Sequence, residues 1–401
     1  MKKSLIALAV LGAFAGAASA QSSVTLYGRA DLNVTNEKAG NDVSPLSTAP
    51  GESTTKLNDG GGTTGIGGSR WGLRGTEDLG NGVKAVFQLE SGFTADTGAQ
   101  GQGGRLFGRQ AWVGLSSATL GEVRFGRQET YSRLNALYWD PSFNGQTKLN
   151  EGNTVSAANA ADCQALTGST ATQCASTTTV RSRNYLLFQN FGDRQDNVIS
   201  YTSPSFSGFR FGAQVGLSEQ ADDNTSDLAG RYQGVTASYA NGPFAAGLSY
   251  ESIKVADVAA GAPNNLNKTF SVGANYNFGV ATVYAGYQRV SDVADGSQIT
   301  SAAANTVAPS SLIVEDQKSY TVGVKVPLGK LTLLANYGNA KYEIRAFGGQ
   351  ELELRKVALG WNYAFSKRTV AYGTFATRSG DLDDNVAIKR EFTLFGLAHS
   401  F

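Results

Sequence analysis

The chain has one histidine, one methionine and two cysteines in 401 residues. The lone histidine, His399, stands two residues from the end and leaves no base for a nucleophile-and-histidine hydrolytic site, so an enzyme is not expected. One histidine and two cysteines also fall short of a closed zinc site, and neither a metal nor a cofactor is expected. No sign of charge is in surplus, since 34 Lys and Arg meet 33 Asp and Glu. A nucleic-acid partner, which would want a basic excess, is therefore not expected. After the first twenty residues there is no uninterrupted apolar run long enough for a transmembrane helix.

Those first twenty residues have their own grammar. Lys2 and Lys3 precede an apolar run from Leu5 to Ala17, closed by the small residues Ala18-Ser19-Ala20. That is a secretory signal over residues 1–20, cleaved after Ala20, with residues 21–401 as a single mature domain. A membrane anchor fits less well, because the run is short and ends in cleavage chemistry. Without Lys2 and Lys3 the balance is 32 basic to 33 acidic residues. Export places Cys163 and Cys174 in an oxidising compartment, within a polar Ser/Thr/Ala/Gly-rich stretch that offers no apolar cover. A Cys163–Cys174 disulfide is expected over two free thiols.

What the chain has in abundance is alternation. Phe270, Val272, Ala274, Tyr276 and Phe278 fall on one face of an extended segment, with Ser271, Gly273, Asn275 and Asn277 on the other. The pattern recurs at Phe209–Leu217, Tyr320–Val326 and Val357–Phe365. One face suits lipid and the other suits water, as the wall of a barrel around an aqueous lumen requires. A soluble sandwich also alternates, but its strands are shorter and its apolar faces must bury each other. Short turns at Gly80-Asn81-Gly82, Ser207-Gly208, Asn241-Gly242-Pro243, Phe278-Gly279, Pro327–Lys330 and Ser366-Lys367-Arg368 trade places with longer polar connections. The expected fold is an all-β transmembrane antiparallel barrel of about sixteen strands, wide enough for an aqueous channel. Its place is the bacterial outer membrane.

Two connections stand out. The longest, over residues 129–194, carries both cysteines and a short helical patch, with Leu134, Leu137 and Tyr138 on one face before Pro141. A loop this long is expected to fold into the lumen and narrow it. The other is Gly60–Gly68, which could pass for a phosphate loop but lacks the following Lys-Ser/Thr and a helix. It reads as a flexible outer loop.

Several stretches resemble the general porins of Gram-negative β-proteobacteria. Ser22–Leu32 is similar to their first strand, and Ser69–Glu90 to their second hairpin. Gly104–Leu115 and Gly121–Gln128 resemble the strands leading into their third loop, and the closing Glu391–Phe401 resembles the C-terminal signature of outer-membrane barrels. The resemblance covers essentially the whole mature chain. It implies a homotrimer of sixteen-stranded barrels, each with its own pore narrowed by the inward third loop, passing ions and small hydrophilic solutes. It implies contact with outer-membrane lipid and lipopolysaccharide, and recognition of Phe401 by the barrel-assembly machinery. The third loop is longer than the family pattern and carries the cysteine pair.

Alternation assigns the faces of the pore. With Val24, Leu26, Gly28 and Ala30 outward, Arg29 and Asp31 point inward; Trp71 and Leu73 outward put Arg70 and Arg74 inside. Glu90 and Arg124 follow by the same rule, with Arg109 beside them. The loop supplies Glu129, Asp140 and Glu151 as facing acids, with Arg133 among them. Arginine stays charged and hydrogen-bonds carboxylate or phosphate, so such a row favours anions. Alternatively these arginines pair with wall carboxylates such as Asp31 and Glu90 and only stiffen the barrel. The expected function is a passive, weakly anion-preferring diffusion channel. The rival is a substrate-specific channel for an anionic or sugar solute, which would want an aromatic track or a denser lysine ladder.

Overall fold

The computed structural model describes residues 23–39, 53–61, 65–142, 145, 147, 152–155, 183–186, 193–217, 232–254, 266–291, 314–344, 350–382 and 386–401. The chain runs as β1 (Ser23–Ala39), β2 (Ser53–Asp59), β3 (Arg70–Gly80), β4 (Val83–Gly92), β5 (Gln110–Ser117) and β6 (Gly121–Glu129). There follow α1 (Tyr131–Trp139), the short pair β7 (Gly152–Val155) and β8 (Arg183–Leu186), then β9 (Arg194–Thr202) and β10 (Phe209–Gly216). The rest is β11 (Tyr232–Asn241), β12 (Phe244–Lys254), β13 (Leu266–Asn277), β14 (Thr282–Ser291), β15 (Val314–Leu328), β16 (Leu331–Ile344), β17 (Gln350–Ala364), β18 (Thr369–Leu382) and β19 (Val386–Ser400).

Successive wall strands pair antiparallel, and β19 returns to β1 with Arg29 opposite Ser400 and Ala39 opposite Arg390. On its other side β1 pairs β3 over Ser23–Arg29 and β2 over Leu32–Lys38. The stretches β2 and β3 therefore share one place in the wall, and sixteen such places close the barrel. Closure leaves no strand edge to be satisfied by lipid, which cannot hydrogen-bond it.

Exposure follows the predicted parity. Val24 and Leu26 are 64 % and 60 % exposed on the outside, while Asp31 is fully buried on the inside. Turns at one end are tight: Asn81 at φ 52° sits between Gly80 and Gly82 at 85° and 76°, a left-handed run that glycine tolerates without strain. Around this end the outer face carries packed aromatic rings, with Phe209–Tyr239 at 4.5 Å, Tyr276–Phe278 at 4.6 Å and Tyr363–Phe365 at 5.2 Å. That is the belt expected where a barrel wall meets the membrane surface. The last residue seals the seam, since Phe401 and Gly28 exchange both backbone hydrogen bonds at 3.1 Å. The Phe401 ring lies over the Gly28 Cα, where a Cβ would clash.

Two expectations are corrected here. The helix does form and stops before Pro141, but the face it buries holds Tyr131, Asn135, Tyr138 and Trp139, whereas Leu137 is exposed. The reason is the surface beneath it, which is a row of glycines that admits large rings. Gly60–Gly68 is not a loose outer loop either. Its described residues turn inward between β2 and β3, and their backbone is bonded to the wall, as set out below.

Candidate functional site: the lumen wall and its two inserts

Parity places Arg29, Arg70, Arg74 and Arg124 on the lumen face, and the structure shows how each is held. Glu90 on β4 is the hub. It accepts from Arg109 Nε at 2.6 Å and Tyr27 Oη at 2.9 Å, and lies 3.6 Å from Arg70 Nε. Gln88 donates to the same tyrosine at 2.6 Å. Arg74 stands exposed with its guanidinium carbon 5.2 Å from the Tyr27 ring centre. Arg124 takes another course: its Nε meets Glu122 at 2.5 Å, and its guanidinium lies 4.1 Å over the Trp112 ring.

The remaining predicted residues sit at the entrance to the long connection. Glu129 ends β6 and receives Arg133 Nε at 3.4 Å and Arg194 at 3.1 Å, with Asp193 at 3.8 Å and 3.7 Å from the same two guanidiniums. Burial works against the Arg133 charge, but Asp193, Glu129 and Asp140 outweigh it and raise its pKa above the ordinary arginine value. Asp140 follows α1 and accepts from the backbone and hydroxyl of Ser142, both at 2.8 Å. Glu151 and the Cys163–Cys174 pair lie outside the described residues. Sequence reasoning missed Asp196, which pairs with Arg105 at 2.7 Å and Arg127 at 2.5 Å, and missed Arg194 and Asp193. Their charges sit where alternation breaks down, next to the register shift between Gly126 and Gln128.

Beyond the arginines, α1 and the residues after it lie across the inner face of β10 to β16. Tyr131 packs on Gly212 and Gly234, Tyr138 on Gly247, Trp139 on Gly273 and Gly286, and Pro141 on Gly323. A Cβ at Gly286 would come within 2.5 Å of Trp139, and one at Gly323 within 2.8 Å of Pro141. Further along, Asn336 donates to the Thr147 carbonyl at 3.2 Å. These six glycines hold the inward parity of their strands, a signal the sequence did carry. The N-terminal end of α1 is fastened by Glu251, fully buried on β12. Its carboxylate accepts the N–H groups of Tyr131 and Ser132, both at 2.9 Å, and the Tyr232 hydroxyl. A carboxylate at that position meets both the unpaired amides and the positive end of the helix dipole.

The second inward segment comprises Gly60, Gly61 and Gly65–Ser69, the described residues of Gly60–Ser69. Asp31 accepts its Ile66 and Gly68 N–H groups at 3.1 Å and 3.2 Å, and the Tyr372 hydroxyl at 2.6 Å. Arg29 Nη1 donates to the Ile66 carbonyl at 3.0 Å, and Arg70 Nη1 to the Gly67 carbonyl at 2.8 Å. The Ile66 side chain packs into a cluster on the inner faces of β17, β18 and β19, formed by Ala358, Tyr372, Ala376, Phe392, Leu394 and Ala398. Asp59 receives the amides of Gly61, Ser69 and Ala95 at 2.7 to 3.3 Å. His399 faces outward beside Thr369 Oγ1 at 2.9 Å, away from all of this.

Comparison with known proteins bears on the whole chain. The family model of Gram-negative porins matches residues 7–383. An outer membrane porin protein of Bordetella pertussis is 32 % identical over 430 residues, covering 100 % of both chains. Outer membrane porin protein 32 of Delftia acidovorans is 33 % identical, over 94 % of this chain and 89 % of its own. Among solved structures, the anion-selective porin from Comamonas acidovorans superposes with a TM-score of 0.66 at 26 % identity, over 95 % of this chain and 100 % of that one. The trimer form of OmpT from Vibrio cholerae shares the fold with a TM-score of 0.57 at 15 % identity.

Proposed function

The chain belongs to the Gram-negative porins and is a passive diffusion channel of the outer membrane, and from that premise we propose that its pore prefers anions. The observation that carries this is the pairing pattern on β1, β3, β4 and the entry to β5. Four guanidiniums, of Arg29, Arg70, Arg74 and Arg109, line this stretch of the wall, and Glu90 pairs with two of them, Arg70 and Arg109. Arg29 and Arg70 spend N–H groups on neutral carbonyls, and Arg74 lies over an uncharged ring. The nearby acids Asp31 and Asp59 accept backbone amides and keep their charge, so four guanidiniums stand against three carboxylates and the cluster is net positive. A unit charge a few ångströms from a passing ion is worth about 1 kcal/mol in bulk water and more where water is squeezed out. Screening over about 8–10 Å confines the effect to the narrow part of the lumen. The connection after β6 supplies that narrowing, with α1 as its foundation.

Reversal potentials of single channels under a salt gradient test the reading. An anion-signed potential is expected, and a cation-signed one overturns it. The chain passes ions and small hydrophilic solutes without catalysis. It works as a homotrimer, for which the trimeric form of a structural relative is the support; unboiled samples already running as monomers on a gel would dismiss that. Residues 1–20 direct export and the outer wall meets lipid and lipopolysaccharide. Phe401, which closes the seam, serves as the insertion signal for the assembly machinery. A Phe401 deletion that reaches the membrane at normal yield would remove that last role.

A further inference from the structure

We propose that the segment Gly65–Ser69 is a second constriction element, and that its task is to hold Arg29 and Arg70 in place through neutral carbonyls that do not offset their charge. The inference rests on the anion-preferring reading and assigns the part of the molecule that produces it.

Three observations point the same way. The first is the choice of acceptor. A guanidinium fixed by a carboxylate is neutralised as it is positioned, as happens to Arg124 at Glu122. A guanidinium fixed by backbone carbonyls is positioned and keeps its charge. Arg29 is held by the Ile66 carbonyl at 3.0 Å and Arg70 by those of Gly67 and Gly68 at 2.8 and 3.5 Å; Glu90 lies 3.6 Å from Arg70 but binds Arg109 more closely, at 2.6 Å, so one carboxylate is shared between two guanidiniums. A Cβ at Gly67 would lie 3.2 Å from the Nη1 atoms of both arginines, so the two charges flank a single point of the segment.

The second observation is the anchor. Asp31 gives this segment what Glu251 gives α1, a buried carboxylate that takes two backbone amides and a tyrosine hydroxyl from another wall strand. A wandering outer loop needs no such device. Asp31 is therefore a positioning residue, turned away from the permeating ion. The third is Ile66, whose packing against the β17–β19 cluster fixes the far side of the segment on the inner wall. Loss of the Gly67 and Gly68 side chains is what lets the carbonyls approach; their φ angles, 140° and 77°, are ones that L side chains rarely adopt.

Two sets of variants test this in the full-length protein, reconstituted in planar bilayers under a potassium chloride gradient. G67D places a carboxylate between the two guanidiniums, and G67A imposes the same backbone strain with no charge. The anion-to-cation permeability ratio should fall about fivefold in G67D relative to G67A, the effect of about one unit charge at close range. Equal ratios in the two variants overturn the proposal. D31N provides a test that does not depend on the Gly67 backbone. If Asp31 were a pore-facing acid, removing its charge would raise anion preference. If it anchors the segment, the arginines lose their placement and anion preference falls, with Tyr27 and Glu90 untouched. A raised or unchanged ratio in D31N overturns the anchoring role. A wild-type channel that reverses on the cation side would instead sink the function reading itself, which keeps the two failures apart.

Discussion

The helix-bearing insert and the glycine insert solve one packing problem in opposite ways. In the first, the bulk belongs to the insert and the space belongs to the wall: Tyr131, Tyr138 and Trp139 settle on Gly212, Gly234, Gly247, Gly273 and Gly286. In the second, most of the bulk belongs to the wall: Tyr372, Phe392 and Leu394 lie in the cluster that takes Ile66, the one large side chain among the described residues of Gly60–Ser69, five of which are glycine. A closed barrel of fixed strand number has a fixed width, so one side of each contact must be small. What decides the side is the job. An insert that presents bare carbonyls to arginines must itself be small, whereas one that only fills space can carry rings.

The anchors are alike, and the comparison breaks first there. Glu251→Ala would strand two amides of α1 in a buried site, at about 1–3 kcal/mol for each amide left unmet, while the Tyr232 hydroxyl keeps Gln214 as its acceptor. A lower temperature for loss of the folded band on gels is expected, together with frequent brief closures in bilayers as α1 loosens. The substitution should leave the reversal potential alone, in contrast to D31N. A selectivity change in Glu251→Ala as large as in D31N would show that the two inserts do the same work.

The second break is steric. Gly286→Val puts a branched side chain where even a Cβ would be 2.5 Å from Trp139. Overpacking of this kind costs about 1–3 kcal/mol, and here it would lift α1 off the wall and reduce conductance. Normal conductance with normal heat stability would mean that the helix does not depend on the glycine row. Tyr372→Phe comes next. It removes one hydroxyl donor from Asp31, with the ring still lying over Gly396, and should cost about 1 kcal/mol. Thermal unfolding followed on gels reads it, and no loss of stability would demote Tyr372 from the anchor.

How much of this the sequence discloses follows from which contacts are local. Strand parity is local, with a period of two, and so the inward placement of Arg29, Arg70, Arg74 and Arg124 is legible from their neighbours alone. Pairing is only partly local. Arg124 and Glu122 share one face of β6 two positions apart, a pair that parity allows, whereas whether Arg105 finds Asp196 depends on residues 91 positions apart. Gly60–Ser69 misleads because a glycine-rich run looks the same whether it drifts outside or is laid along a wall. The glycine row beneath α1 was open to reading: six glycines at inward positions on strands where other inward residues are polar or large are a request for something to lie there.

The smallest predicted effect is the one that separates tied charges from working ones. Replacing Arg124 alone is a poor test, because it leaves Glu122 unpaired and shifts the local charge by one unit, as much as replacing a free arginine would. The informative variant removes both partners. Glu122→Gln with Arg124→Gln deletes a pair whose members meet at 2.5 Å, and the net charge of the lumen is unchanged. Its reversal potential should stay within error of the parent. Arg74→Gln, at a side chain that stacks on Tyr27, should move the potential toward cations by about the effect of one exposed charge. A pair deletion that moves the potential as far as Arg74→Gln does would mean that Arg124 reaches past Glu122 to the permeating ion. Anion preference would then belong to the whole arginine wall, not to the part held by Gly60–Ser69.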